Sequence, residues 1–264
     1  MNVKSNVKIW LLAVIMSVSN VVCAGNMPDS VATASSCCNQ YSDPTTRFKP
    51  AQLILPGALI AVGALGLENG WFGHIKRDVR DEFQSMSHGH KINADNYLQY
   101  LPAAGYLVMG SLGVKAKHTF KERALVTVTS IASYGILAGG MKLCIHERRP
   151  QGDETNSFPS GHTTLAFMGA ELIRSEYPLG VGITAYAVAC GVGFMRLYND
   201  RHWVNDVIAG AGVGILCARI GYWMLPVWRR VFHLDRRGCC PMVAMTPFYD
   251  VNRHAAGASF VGYF

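Results

Sequence analysis

His202 has a neighbour that could orient its imidazole ring for chemistry. Asp206 follows four residues later, so on a helix that includes both residues they lie on one face. The carboxylate can then bond one ring nitrogen and leave the other nitrogen free. A histidine held in this way can act as a nucleophile or as a base. A surface ion pair has the same spacing, and it would stabilise the fold by less than about 1 kcal/mol.

His162 comes directly after residues that are typical of a helix start. Pro159, Ser160 and Gly161 lead into an apolar run. Free backbone N–H groups and a serine hydroxyl at such a start can bind an anion. His162 would then lie beside the bound anion. An ordinary helix cap followed by a surface histidine is the alternative interpretation.

Three cations lie near these two segments. Lys142 and Arg149 are placed at the predicted end of an apolar helix, which Pro150 would stop, and Arg196 precedes His202. Such cations can complement helix dipoles and reach a membrane surface, or they can bind phosphate oxygens. The spacing alone leaves both roles open.

Long apolar runs must position these residues. Most of the runs are about as long as a transmembrane helix, and they predict an all-α bundle of six membrane-embedded helices. The runs are Ala51 to Leu67, Leu98 to Val114, Ala124 to Met141, Thr163 to Ile173, Tyr177 to Met195 and Val207 to Trp228. The segment from Glu68 to Asp95 has the composition of a polar loop, and the residues after Pro241 predict a short β-like tail, with a hairpin as the simplest form.

The composition limits the class of protein. Hydrophobic residues make up 50% of the chain and charged residues 16%, which excludes a disordered or fibrous protein. The net charge of +7 suits a membrane surface, an anionic substrate or nucleic acid. Nucleic acid is a poor candidate, because the basic residues are spread over several loops of a chain predicted to be exported.

The N-terminus predicts this export. Lys4 and Lys8 precede an uncharged run, so residues 1–24 are interpreted as a signal peptide. An uncleaved anchor is the alternative, although the run is shorter than the ~20 residues that span a bilayer. Residues 25–50 then form an extended lead-in, residues 51–230 the helical domain and residues 231–264 the C-terminal tail. Export would allow disulfides among Cys37, Cys38, Cys239 and Cys240, with their pairing open.

The distribution of basic residues predicts the orientation. Two groups would face the cytoplasm by the positive-inside rule, which puts the segment ends nearest Arg149, Arg196 and His202 on the outer side. The groups are Lys115, Lys117, Lys121 and Arg123 in one predicted loop, and Arg229, Arg230, Arg236 and Arg237 after the last helix. A cleaved signal peptide followed by a fully spanning first run would invert this topology. Either residues 51–67 do not fully span, or the signal segment is retained, or the bundle is not in a membrane.

The three stretches together resemble the signature of the type 2 phosphatidic acid phosphatase superfamily. That signature is Lys, six residues, Arg-Pro; then Pro-Ser-Gly-His; then Ser-Arg, five residues, His, three residues, Asp. The chain has these groups in the same order: Lys142 to Arg149-Pro150, Pro159 to His162, and Arg196 to His202 to Asp206. Met195 departs from the signature, because the family usually has Ser there. The resemblance covers residues 95–226.

The resemblance implies a fold, a mechanism and roles for these residues. The fold is the helical bundle shared with vanadium haloperoxidases. His202 would attack phosphorus and form a phosphohistidine, Asp206 would stabilise its ring, and His162 would protonate the leaving alcohol and then activate water. The phosphate would be bound by Lys142, Arg149 and Arg196 and by the backbone amides of Ser160 and Gly161. No cofactor or metal is implied, and the pair His88 and His90 lacks a third ligand at a usual spacing.

The resemblance also suggests a substrate. The membrane branch of the family acts on lipid phosphates, and lipid A 4′-phosphate is the first expectation for this chain, in a bacterial inner membrane with the site facing the periplasm. Undecaprenyl pyrophosphate and phosphatidylglycerophosphate are alternatives, as is the activity of a soluble periplasmic acid phosphatase. A haloperoxidase and a non-enzymatic membrane scaffold are the other classes considered. The sequence leaves the oligomeric state open.

Overall fold

A computed structural model describes residues 43–67, 71–152, 154–234, 243–250 and 255–262. The predicted signal peptide, residues 25–42 of the lead-in and the two adjacent cysteine pairs lie outside these residues. The chain divides into two compact units, one that ends at Leu225 and one that begins at Pro226.

Eight α-helices lie within the described ranges. They are α1 (Ile54–Leu65), α2 (Trp71–Ser87), α3 (Asp95–Leu98), α4 (Leu101–Val108), α5 (Phe120–Cys144), α6 (Gly161–Glu176), α7 (Leu179–Tyr198) and α8 (Val204–Val231). A 3-10 turn at Pro50–Leu53 precedes α1. A helix overlaps each of the six predicted segments, but α4 covers only eight residues of the run from Leu98 to Val114 and is too short to span a membrane. Helices α2 and α3 are additional, so the count differs from the six predicted.

Helix α2 corrects the prediction of a polar loop from Glu68 to Asp95. Its buried residues Lys76, Val79 and Phe83 recur at helical spacing. One side of the helix can therefore pack on the bundle, although the segment is polar on average. The prediction was wrong because the charged residues on the other side of α2 mask this short apolar stripe.

The two ends of α5 also differ from the prediction. A capping box starts the helix: the Glu122 carboxylate accepts a bond from Thr119 N at 2.8 Å. Lys121 and Arg123 therefore lie in the first turn rather than in a loop, and Arg123 is buried, with NH1 donating to Tyr106 O at 2.7 Å. At its other end α5 stops at Cys144, so it is not Pro150 that ends it and Arg149 lies in the loop that follows.

The core is centred on α6, most of whose residues are buried. It packs against α4 and α7. Its backbone also lies in close contact with the backbone of α8. A Cβ atom on Gly210 of α8 would lie 2.8 Å from Ser160 O, and Gly214 leaves equally little space beside Thr164. Glycine at these positions lets the two helix backbones touch.

Three of the described helices are long and apolar enough to cross a membrane. They are α5, α7 and α8, with mean hydropathies of 1.4 to 1.5. The segment from Pro50 to Leu65 is apolar but shorter. The membrane-embedded helical bundle predicted from the sequence is consistent with these three helices.

The second unit contains a pair of strands, β1 (Val243–Asp250) and β2 (Ala255–Gly262). They pair antiparallel, with Val243 opposite Gly262 and Asp250 opposite Ala255. This is the arrangement of a hairpin, in the region where the sequence predicts a β-like tail.

Candidate active site

His202 lies in the loop directly before α8 and contacts the first turn of that helix. Its Nδ1 is 3.5 Å from Asp206 Oδ2, and both side chains are almost fully buried. The predicted partnership is therefore present, although His202 itself precedes the helix that holds Asp206. The other ring nitrogen, Nε2, has no hydrogen-bond partner within the part of the chain that the structure describes.

Asp206 is fixed by three donors. Ser157 Oγ donates to its Oδ2 at 2.5 Å, and Trp203 N donates to the same oxygen at 3.0 Å. Asn205 Nδ2 lies 3.3 Å from the other oxygen, Oδ1. Charge-assisted hydrogen bonds of this kind hold a carboxylate in one orientation. The sequence analysis missed Ser157, because its partner is 49 residues away and no local pattern links the two.

Replacing Ser157 with alanine is expected to lower kcat about tenfold with little change in KM. The variant loses the short bond to Asp206, and a hydrogen bond to a charged group stabilises by about 1.5–3 kcal/mol. Steady-state kinetics of phosphate release measure the effect. Ser130→Ala is the matched control, because Ser130 is equally buried and its hydroxyl has no partner among the described residues. Equal kcat in the two variants would contradict the role of Ser157.

Ser160 connects the start of α6 to α8. Its backbone N–H donates to Asp206 O at 3.1 Å, so this amide is already occupied. This corrects the expectation that the Ser160 amide binds phosphate. Its hydroxyl accepts a bond from Thr163 Oγ1 at 3.0 Å and keeps its own hydrogen to donate. Gly161 is the first residue of α6, and its amide has no backbone acceptor in the described ranges.

Lys142 and Arg149 meet at Asn156. Lys142 Nζ donates to Asn156 O at 2.6 Å, and Arg149 Nε donates to Asn156 Oδ1 at 3.0 Å. Arg149 also pairs with Glu154, with Nε 3.2 Å from the carboxylate. One residue of the loop before α6 therefore holds both cations on the same side of the bundle. Asn156 was also missed by the sequence analysis.

Arg196 is held at the end of α7 by a buried ion pair. Its NH1 donates to Asp95 Oδ2 at 2.6 Å, and both side chains are more than nine-tenths buried. Its Nε is buried and has no hydrogen-bond partner among the described residues. The guanidinium therefore keeps unused donor capacity. The sequence offered no signal for Asp95, which lies 101 residues from its partner.

His162 contacts the residue next to Asp95. Its Nε2 lies 3.0 Å from Asn96 Oδ1 in α3. Burial and the positive charge of Arg196 lower the pKa of His162 to about 4 in the phosphate-free protein. A phosphate dianion in the site would oppose this effect and favour the protonated ring.

Several of the predicted groups act on the pKa values of the two histidines. Burial lowers the pKa of His202, Asp206 raises it, and Arg196 and Lys142 lower it further. The charges that act on His162 include Arg149 and His202. The net effect lowers the pKa of His202, which favours its neutral ring.

Two acids near the candidate site are paired with cations of α2. Asp200 receives Arg80 Nε at 2.8 Å and NH2 at 2.9 Å, and Glu147 receives Lys76 Nζ at 2.7 Å. Arg80 NH2 also donates to Pro150 O at 2.9 Å. Helix α2 therefore connects the loop that carries Arg149 to the loop that carries His202.

Metal ligands do not cluster in the residues that the structure covers. No group of three or more His, Cys, Asp or Glu side chains there could hold an ion. The cationic side chains described above are instead suited to a bound anion.

Part of the chain matches a known protein family. Residues 123–230 match the model of the PAP2 superfamily. Lipid A 1-phosphatase from Porphyromonas gingivalis is 37% identical over 134 residues, which are 49% of this chain and 30% of that protein. Bacitracin transport permease protein BcrC from Bacillus licheniformis is 38% identical over 71 residues, which are 27% of this chain and 34% of that protein. The matches thus span about a third of the length of these relatives.

Two solved structures are also similar. LpxE from Aquifex aeolicus is 21% identical with a TM-score of 0.42, covering 53% of this chain and 92% of that one. A transmembrane PAP2 type phosphatidylglycerolphosphate phosphatase from Bacillus subtilis is 16% identical with a TM-score of 0.43, covering 70% of this chain and 99% of that one.

Proposed function

We propose that the chain is a metal-independent lipid phosphatase that works through a phosphohistidine at His202. The observation that carries the proposal is the arrangement of His202. Asp206 lies at its Nδ1, its Nε2 has no partner among the described residues, and the charges of Arg196 and Lys142 act on its ring. A neutral nucleophile among fixed cations is what attack on a phosphate ester needs. The family match supports the same chemistry.

In the first step, Nε2 of His202 attacks phosphorus. The P–N bond forms, the bond from phosphorus to the ester oxygen breaks, and His162 gives its proton to that oxygen. Asp206 stabilises the positive ring that results. Arg149, Lys142 and Arg196 take up the charge that spreads over the other phosphate oxygens, with donors from the Gly161 amide and the Ser160 hydroxyl.

In the second step, water attacks the phosphorylated histidine. His162 now accepts the proton of the attacking water, the P–N bond breaks, and its electron pair returns to His202 Nε2. Inorganic phosphate leaves, and both histidines are back in their starting states. The fixed cations take the place of the magnesium that many phosphoryl-transfer enzymes use.

Lipid A is the proposed substrate, in a bacterial inner membrane with the site facing the periplasm. Lys142 and the exposed Lys121 lie at opposite ends of α5, a helix of 25 residues that is long enough to cross a bilayer. The end of α5 with Lys121 would face the cytoplasm, because Lys115 and Lys117 lie just before it. The sequence resemblance favours the 4′-phosphate, whereas the similarity to a protein named lipid A 1-phosphatase favours the 1-phosphate as the second candidate.

Phosphate release by the detergent-purified chain tests this proposal. The substrates are lipid A with a single phosphate at the 1 or the 4′ position, undecaprenyl pyrophosphate, phosphatidylglycerophosphate and a soluble phosphate ester. We expect release from one form of lipid A that EDTA does not reduce. Better turnover of another lipid would replace lipid A as the substrate, and equal turnover of the soluble ester would favour a soluble acid phosphatase. No release from any substrate would favour a haloperoxidase or a scaffold.

A further inference from the structure

Helix α3 contacts the reaction centre at two adjacent residues that the family signature does not contain. Asp95 binds Arg196, and Asn96 binds His162. The Asp95 contact is a buried ion pair that orients a cation. The Asn96 contact involves the group that must both give and take a proton, so it bears directly on the chemistry.

We propose that Asn96 is a positioning residue that determines which nitrogen of His162 transfers the proton. Its Oδ1 is an acceptor and lies 3.0 Å from Nε2, so Nε2 carries a hydrogen in both the neutral and the charged ring. The other nitrogen, Nδ1, has no partner among the described residues. Nδ1 is therefore the atom that exchanges its proton with the leaving oxygen and then with water. This inference rests on the proposed phosphatase function.

The surroundings of His162 explain why this bond matters. The charged and titratable groups that act on its ring are Arg196 from α7, Asp95 from α3, His202 from the loop before α8 and Arg149 from the loop after α5. Burial and these positive groups work against the protonated ring. An acceptor at Nε2 is the contact that favours protonation without adding a charge beside the phosphate.

Two substitutions at Asn96 separate this role from a merely structural one. Asn96→Leu removes the acceptor, so the neutral ring should become a mixture of both tautomers and kcat should fall about fivefold at unchanged KM, the factor expected for one lost hydrogen bond. Asn96→Asp replaces the acceptor by a carboxylate, so the titration midpoint of His162 should rise by about one pH unit or more. The alkaline limb of the kcat profile should move in the same direction.

Asn93→Asp is the matched control. It adds the same charge to the same exposed segment, and its side chain has no bond to His162. In Asn93→Asp we expect the titration midpoint of His162 and the pH profile of kcat to stay close to those of the unchanged protein.

The titration is measured by NMR on the full chain in detergent, with 15N-labelled histidine and His162→Gln to assign the ring signals. A His162 tautomer and titration that are the same in Asn96→Leu, Asn96→Asp and the unchanged protein would overturn the proposal. The measurement needs no turnover, so it stays separate from the proposed function. If the NMR changes appear but no substrate is hydrolysed, the proposed function falls while the bond that sets the tautomer stands.

Discussion

Phosphate release is expected to fall at least about 10,000-fold when His202 is replaced with alanine. The variant has no atom that can take the place of Nε2, so the covalent route is closed and only direct attack by water remains. The cations and the start of α6 are unchanged, so the variant should still bind inorganic phosphate. Initial rates on the best substrate of the panel measure the loss.

Two controls keep this result interpretable. His90→Ala removes an exposed histidine from the segment after α2 and should leave the rate unchanged. The thermal unfolding midpoint of His202→Ala should stay near that of the unchanged protein, which would show that the variant is folded. Retained activity in a folded His202→Ala protein would remove His202 as the nucleophile.

The second large effect is expected for His162→Gln. Losing a general acid and base typically costs between 100-fold and 10,000-fold in rate. The loss should depend on the leaving group, because the first step needs a proton from His162 only when the leaving oxygen is strongly basic. With p-nitrophenyl phosphate we therefore expect a burst of about one nitrophenol per protein, followed by slow turnover.

The proposed phosphohistidine can be detected directly in the same variant. In His162→Gln the second step lacks its base, so phosphate should accumulate on the protein when a radioactive ester is supplied. Label on a histidine would be lost in acid and kept in alkali, and it should be absent from a variant that carries both His162→Gln and His202→Ala. Equal losses on both kinds of ester, with no labelled protein, would argue against the two-step route.

Local patterns in the sequence predicted two structural features of the candidate site. Pro159, Ser160 and Gly161 carry helix-start signals within a few residues, and α6 begins at Gly161. The spacing of His202 and Asp206 also predicted their contact, because it requires only one turn of chain. Such features depend on neighbours in sequence and therefore leave a readable pattern.

The residues that the sequence did not reveal depend on contacts between remote segments. Asn96 lies 66 residues from His162, Asp95 lies 101 residues from Arg196, and Ser157 lies 49 residues from Asp206. No single-chain periodicity encodes such pairs. The start of α5 was different, because Thr119 and Glu122 form a capping pattern that was available in the sequence and would have placed Lys121 in a helix.

The backbone contact between α6 and α8 determines when the site can exist. The Ser160 amide is bound to Asp206, and Gly210 leaves no room for a side chain between the two helices. During synthesis α6 leaves the ribosome before α8, so the start of α6 and Asp206 come together only after the later helix has docked. Under the proposed function, a chain in which α8 has not yet docked would lack this arrangement of the reaction centre.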